Sequence, residues 1–132
     1  MRDDKVIKIE YLSEEIEGEP GPNFYWRGEP MDFLQLLNDM HVLGCEEKIE
    51  INLVEFSYIE MKNITNVKAV SSNGNLLCKK SDDAVLIDLT KGAWQELLKN
   101  FLAISFFPSH YYVDFEEKNF FEDANFIISS EA

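Results

Sequence analysis

Along this chain the spacing of apolar residues changes period several times, and each change marks an element. Phe24, Tyr25 and Trp26 are strand formers; Gly28 interrupts them, and Pro30 sits where a first helical turn tolerates a residue without an N–H. Glu29 and Asp32 face the positive end of the helix dipole that follows. From there Met31, Phe33, Leu34, Leu36, Leu37 and Met40 recur at i, i+3 and i+4, which predicts a helix that buries one stripe and is stopped by Gly44. Upstream, residues 5–12 alternate, with Ile7, Ile9 and Tyr11 on one side, as an opening strand does. Residues 14–22 hold two prolines, two glycines and four glutamates and predict an exposed loop.

Downstream, residues 47–56 alternate with Ile49, Ile51 and Leu53 opposite Glu50 and Asn52, until the pattern slips at Val54. Residues 64–89 read as a three-stranded meander, with strands over 64–72, 75–80 and 84–89. Asn73-Gly74 accepts the positive φ of a type I′ turn and predicts a hairpin between the first two; Ser81-Asp82-Asp83 makes the second turn. Thr90 is the expected N-cap of a second helix from 91 to about 103, with Trp94, Leu97, Leu98, Phe101 and Leu102 as its stripe. Residues 110–116 predict a strand and 125–129 a short closing one. The two helix-to-strand units share an apolar grammar. Phe33 falls on Trp94, Leu36 on Leu97, Leu37 on Leu98 and Met40 on Phe101, as an internal duplication or two helices covering one sheet would both require. The expected fold is a single α+β domain over 1–132: a largely antiparallel sheet of about six strands with two helices packed on one face.

At 132 residues and 45% hydrophobic, the chain can bury about two-thirds of its unfolded surface in one core. Its charge narrows the partners. Twenty-five acids against 12 lysines and arginines leave a net −13, which repels nucleic acid and anionic membranes and steers a cationic protein toward the surface. The acids crowd into 14–19, 29–60 and 114–123, whereas 61–81 holds four lysines and no acid. Cys45 and Cys78 lack C-x-x-C spacing and are expected to be small buried residues. The charged start Met-Arg-Asp-Asp-Lys and the lack of any membrane-length apolar run predict a cytoplasmic protein with reduced thiols.

No nucleophile elbow, P-loop, dinucleotide-binding glycine pattern or zinc-spaced Cys/His pair occurs, so neither cofactor nor metal is expected and no catalytic residue is assigned. His41 stands near the end of the first helix, where the dipole favours its cationic form. His110 shares its expected strand face with Tyr112 and Asp114, a set suited to a metal, a proton or a partner side chain, or simply to solvent. Arg27, beside Trp26, can grip a carboxylate of a ligand or of the protein's own acidic loop. Arg27, His110 and Asp114 are therefore the possible ligand-binding set.

The stretch Trp26-Arg-Gly-Glu-Pro-Met-Asp-Phe-Leu-Gln-Leu-Leu and the tail Ser109-His-Tyr-Tyr-Val-Asp-Phe-Glu-Glu with Asn125-Phe-Ile-Ile-Ser129 resemble bacterial immunity proteins of polymorphic toxin systems, in particular immunity protein family thirty-two. Where that family is expected to show His-x-His or His-x-Tyr, this chain has His110-Tyr-Tyr112. The resemblance implies a cytoplasmic, non-enzymatic protein that neutralises a toxin by binding it. An inhibitor of a basic nuclease can imitate the phosphate backbone with carboxylates, here Glu14, Glu15, Glu17, Glu19, Glu46 and Glu47, around an aromatic anchor such as Tyr25 or Tyr112. The rival expectation is a small-ligand-binding module or minor enzyme on the exposed sheet face around His110. A third is a structural subunit whose sheet edge pairs in a homodimer, so that monomer and homodimer both stay open.

Overall fold

The computed structural model describes residues 6–12, 21–46, 48–72, 77–113, 121–122 and 125–130. In chain order the elements are β1 (Ile7–Leu12), β2 (Asn23–Gly28), α1 (Pro30–Met40), β3 (Ile49–Asn52), β4 (Ile59–Lys62), β5 (Asn66–Ser71), β6 (Leu77–Ser81), β7 (Ala84–Leu89), α2 (Lys91–Phe106), β8 (His110–Tyr112), β9 (Phe121–Glu122) and β10 (Asn125–Ser130). The strands form two five-stranded sheets, ordered β4-β1-β2-β10-β8 and β3-β5-β7-β6-β9. Both are mixed. In the first, β1 runs antiparallel to β2 and β8 to β10, while β4 is parallel to β1 and β10 to β2. The fold is thus α+β, but it is not one largely antiparallel sheet of about six strands.

The chain runs through the same order of elements twice, strand-strand-helix-strand-strand-strand, and the strand pairings repeat with it. Lys8 pairs with Arg27 and Glu60 in the first sheet as Leu77 pairs with Asp88 and Phe121 in the second. Asn23 pairs with Asn125 as Ala84 pairs with Asn66. Each helix leaves the central strand of one sheet and leads to an edge strand of the other, α1 from β2 to β3 and α2 from β7 to β8. The halves therefore exchange strands: β3 and β5 complete the second sheet, β8 and β10 the first. The helical match seen in the sequence follows this repeat, since Phe33 and Trp94, Leu36 and Leu97, and Met40 and Phe101 are all fully buried.

Both sheets and both helices share one core. The first sheet contributes Ile7, Ile9, Phe24, Trp26, Phe126 and Ile128, the second Val67, Ala69, Cys78, Val85, Ile87 and Leu89. Trp26 stacks on Phe101 at 5.8 Å, and Phe33 lies 5.9 Å from the same ring. Trp94 donates its indole N–H to the Val70 carbonyl at 2.7 Å, so α2 is tied to the second sheet as well. The start of α1 is a capping box: the Glu29 backbone N–H donates to the buried Asp32 carboxylate at 3.0 Å. At its other end the chain tightens into a 3-10 turn over His41–Gly44, and the His41 ring donates from Nδ1 to the Asn38 carbonyl at 2.8 Å. Gly44 packs closely there: a Cβ would meet the Gln95 Cγ at 3.0 Å, so that side chain would have to give by a few tenths of an ångström. Thr90 caps α2, accepting from the Ala93 N–H at 3.2 Å.

Three local expectations change. Residues 73–76 lie outside the described set, but the strands flanking Asn73-Gly74 do not pair. β7 inserts between them, parallel to β5, while the other expected turn, Ser81-Asp82-Asp83, does join β6 and β7 as an antiparallel hairpin, with Asp82 at φ 56°. The physical reason is burial: β7, Ala-Val-Leu-Ile-Asp-Leu, is the most apolar of these strands and takes the centre, and turn chemistry cannot choose a strand's neighbour. The slip at Val54 is a 3-10 turn over Leu53–Glu55 that ends β3. Met31, Leu34 and Leu102 were expected to be buried in the helical stripes and are exposed. A helix resting on a sheet buries a face narrower than its full apolar arc.

Candidate functional site

The side of the first sheet turned away from the core is where four of the eleven expected site positions, Tyr25, Arg27, His110 and Tyr112, line up. Pairing across β1, β2, β10 and β8 aligns Lys8, Arg27, Ser129 and His110 in one row, and Glu10, Tyr25, Ile127 and Tyr112 in the next. Side chains alternate along a strand, so each row shares a face. Arg27 and His110 thus stand two strands apart on one face, roughly 10 Å by the usual strand spacing.

Their polar groups are already engaged inside the protein. The Arg27 guanidinium donates to the Glu10 carboxylate at 2.9 Å, with the arginine half exposed and the glutamate side chain 9% exposed. That is an internal pair, made with the neighbouring strand β1. His110 Nδ1 lies 2.6 Å from the hydroxyl of buried Ser129, so one edge of an otherwise exposed histidine is held on the sheet. Tyr25 is 8% exposed and cannot serve as an anchor for a partner as it stands. Its phenol sits in a row with Glu10 at 7% and Ile127 at 0%, closed to solvent. Glu10 and Ser129 escaped the sequence reading. Their signal was the period-2 alternation of β1 and β10, but recognising them required the strand order, which decides which alternating faces lie side by side.

Of the expected partner-binding acids, Glu46 is exposed just after the 3-10 turn that ends the α1 region, with its backbone N–H bonded to the Val42 carbonyl at 2.9 Å. Glu14, Glu15, Glu17, Glu19, Glu47 and Asp114 lie outside the described residues, as does the side chain of Tyr112. What the structure does show is where the chain enters and leaves the acid-rich segments. Segment 13–20 leaves from Leu12 and returns at Gly21, 114–120 leaves after Val113, and 123–124 returns at Asn125. Leu12 pairs with Asn23 and Asn23 with Asn125; Asn125 N–H donates to the Pro22 carbonyl at 3.0 Å and Val113 N–H to the Phe126 carbonyl at 2.8 Å. All four points are therefore at one end of the first sheet, whereas the other ends of 114–120 and 123–124 join β9 at the edge of the second sheet. The three segments hold eight acids and one lysine.

The described positions hold 13 acids and 9 basic residues, a net −4 of the chain's −13. The second sheet turns lysines outward: Lys68, paired with Glu50 at 3.1 Å, and Lys79. Away from both sheets' outer faces, Tyr58 donates to the Asp39 carboxylate at 2.5 Å; burial and then this acid raise its phenol well above the ordinary tyrosine value. Cys78 is buried as expected, whereas Cys45 is exposed because it follows the helix on the surface side of the turn. Among the described residues no cluster of three or more His, Cys, Asp or Glu is arranged to hold a metal ion, and no helix is long and apolar enough to cross a membrane. No protein-family model matches this chain, and no match was found among curated proteins or solved structures.

Proposed function

We propose that the protein is a non-enzymatic binding module, an immunity protein acting in the cytoplasm that neutralises a basic toxin domain by direct contact. Its contact region is the acid-bearing end of the first sheet. The observation that supports this reading is that Leu12, Pro22, Val113 and Asn125, the described residues at which segments with eight acids and one lysine begin or end, lie at one end of the first sheet, and that these segments carry −7 of the chain's net −13. Carboxylates gathered on one side create a field that speeds the approach of a cationic protein and orients it before contact. A basic nuclease surface shaped to hold phosphates accepts carboxylates for the same electrostatic reason. The small-ligand alternative loses ground because Arg27 and His110 are already bonded to Glu10 and Ser129.

The test is to co-express the chain with the product of the neighbouring gene and measure complex formation at several salt concentrations. Changing Glu14, Glu15, Glu17 and Glu19 together to Lys is expected to slow association at least tenfold at low salt and to flatten its salt dependence. The control, Lys68→Glu with Lys79→Glu on the second sheet, is expected not to weaken binding. A quadruple variant that binds with unchanged rate and salt slope sinks the electrostatic reading.

A further inference from the structure

We propose that the two halves of the chain, residues 6–72 and 77–130, are each other's binding partner, and that their mutual interface, rather than the covalent link between them, holds the fold together. Each half leaves both sheets incomplete. The first supplies β4, β1 and β2 to one sheet and β3 with β5 to the other; the second supplies β9, β6 and β7 and, across the molecule, β8 with β10. Without its counterpart, either half is a three-stranded sheet, a detached strand pair and one helix, and a two-stranded pair is marginal on its own in water.

The seam between the halves runs through the core. β2 pairs with β10 from Asn23↔Asn125 to Gly28↔Ser130, and β5 with β7 from Asn66↔Ala84 to Ser71↔Leu89, both parallel. Each seam lies inside a sheet, so parting the halves would bare a row of backbone donors and acceptors on both sides. Aromatic rings meet across it: Phe126 of the second half lies 5.0 Å from Phe24 and 5.2 Å from Trp26 of the first, and Phe101 lies 5.8 Å from Trp26. Polar ties cross it too. The Trp94 indole donates to the Val70 carbonyl at 2.7 Å, the Gln95 amide to the Gly44 carbonyl at 2.6 Å, and the Asn125 amide to the Asn23 side-chain oxygen at 3.1 Å. An obligate interface has this character, that of a domain core divided between two partners.

The link between the halves also has a counterpart position. Ser71 on β5 and Leu77 on β6 flank the end of β7, at Leu89 and Asp88, and five residues, 72–76, join them. At the matching place in the first sheet Ser130 pairs with Gly28 and Lys8 with Arg27, and a Cβ on Gly28 would come 3.2 Å from the Ile7 Cγ1. Ile7 and Ser130 thus lie on the two strands that flank β2, as Leu77 and Ser71 lie on the two that flank β7. Two strand spacings, roughly 10 Å, separate the strands of each pair. If Ala132 is joined to Met1, seven residues lie between Ser130 and Val6, with a reach of about 23 Å when extended. The connection can therefore be moved from one sheet to the other without changing a paired residue.

The test cuts or moves the link in the full chain. For the cut, a protease site is inserted between Gly74 and Asn75, and the folded protein is cleaved to completion. The two pieces are expected to sediment together at the mass of the uncut variant and to keep its far-ultraviolet circular dichroism. Dilution by about a hundredfold should lower the unfolding midpoint of the cut protein and leave that of the uncut one in place, because only the cut halves are separate species whose association depends on concentration. Pieces that part at micromolar concentration overturn the proposal. So does a cut protein whose midpoint ignores dilution, since the halves would then fold independently. In a circular permutant that starts at Asn75 behind an added methionine, runs through Ala132 into Met1 and ends at Gly74, the circular dichroism and the single unfolding transition are expected to match those of the parent chain. The cut chain folds before it is cleaved, so it tests the interface even where the permutant fails to fold. Toxin binding enters neither readout, and the proposal stands or falls apart from the function proposed above.

Discussion

The two sheets have matching strand registers and different side-chain chemistry. On the core side Phe24, Trp26, Phe126 and Ile128 of the first stand where the second has Val85, Ile87, Val67 and Ala69. On the opposite side the buried row Glu10, Tyr25, Ile127 corresponds to Lys79, Leu86, Lys68, in which both lysines are exposed. Backbone pairing sets which positions are neighbours, and the residue types then decide what each neighbourhood does. The first sheet concentrates large aromatic contacts inside, where each ring buries 150–250 Å² by ordinary measure, roughly. The second uses smaller residues and takes Trp94 of α2 against its Val70 carbonyl instead.

The largest test of that contrast is in the core. Trp26→Ala is expected to cost about 3–5 kcal/mol in denaturant unfolding, whereas Ile87→Val at the matching position of the second sheet should cost about 0.5–1.5 kcal/mol. Equal losses would mean that the aromatic cluster is not where stability is concentrated. Trp26→Phe should cost much less than Trp26→Ala, because it keeps a ring and removes a buried indole N–H that has no hydrogen-bond partner.

Tyr58 comes next, as the polar tie from β4's approach to α1. Tyr58→Phe is expected to cost about 1.5–3 kcal/mol, the range for a hydrogen bond to a charged group. Its folded-state phenol is raised above the ordinary value of about 10, so the stability it contributes is fully present below that pH and is lost as pH rises through and beyond it. The wild type should therefore lose stability above about pH 10 more steeply than Tyr58→Phe. Parallel curves for the two would refute the link.

Smaller effects compare the outer faces. Glu10→Gln is expected to cost about 1 kcal/mol by weakening the Arg27 pair on a nearly buried carboxylate, while Lys79→Gln at the equivalent exposed site should stay within about 0.5 kcal/mol. A loss at Lys79 as large as at Glu10 would erase the distinction between the faces. Smallest and independent of either sheet, Thr90→Ala should cost about 1 kcal/mol through the lost α2 cap, read as a shift in the unfolding midpoint.

The placement of Arg27 and His110 on strands was legible because strand patterns are local. Arg27 beside strand formers and His110 in an alternating strand were both assigned to a sheet face, and the structure brings them onto the same one. Tyr25 was misjudged as an anchor for a related reason: its outward position on β2 is readable from alternation, but whether that row is covered depends on residues far away in the chain. Cys45 and Met31 went the same way, since exposure at the end or edge of a helix depends on how the helix rolls on its neighbours.

The sequence by itself determined both helices and most of the strands, though not β4 or β9, because periodicity, the Thr90 cap, Pro30 and the Gly44 turn act over a few residues through backbone sterics and local hydrogen bonds. It also contained the repeat, in the helical match from Phe33 to Trp94. Only the tertiary structure decided that the strands divide between two mixed sheets, that β7 separates β5 from β6, and that Leu12, Pro22, Val113 and Asn125, which flank acid-rich segments, lie at one end of the first sheet. Those outcomes depend on which apolar strand gains most by taking a central place, a competition among distant segments that no local pattern records.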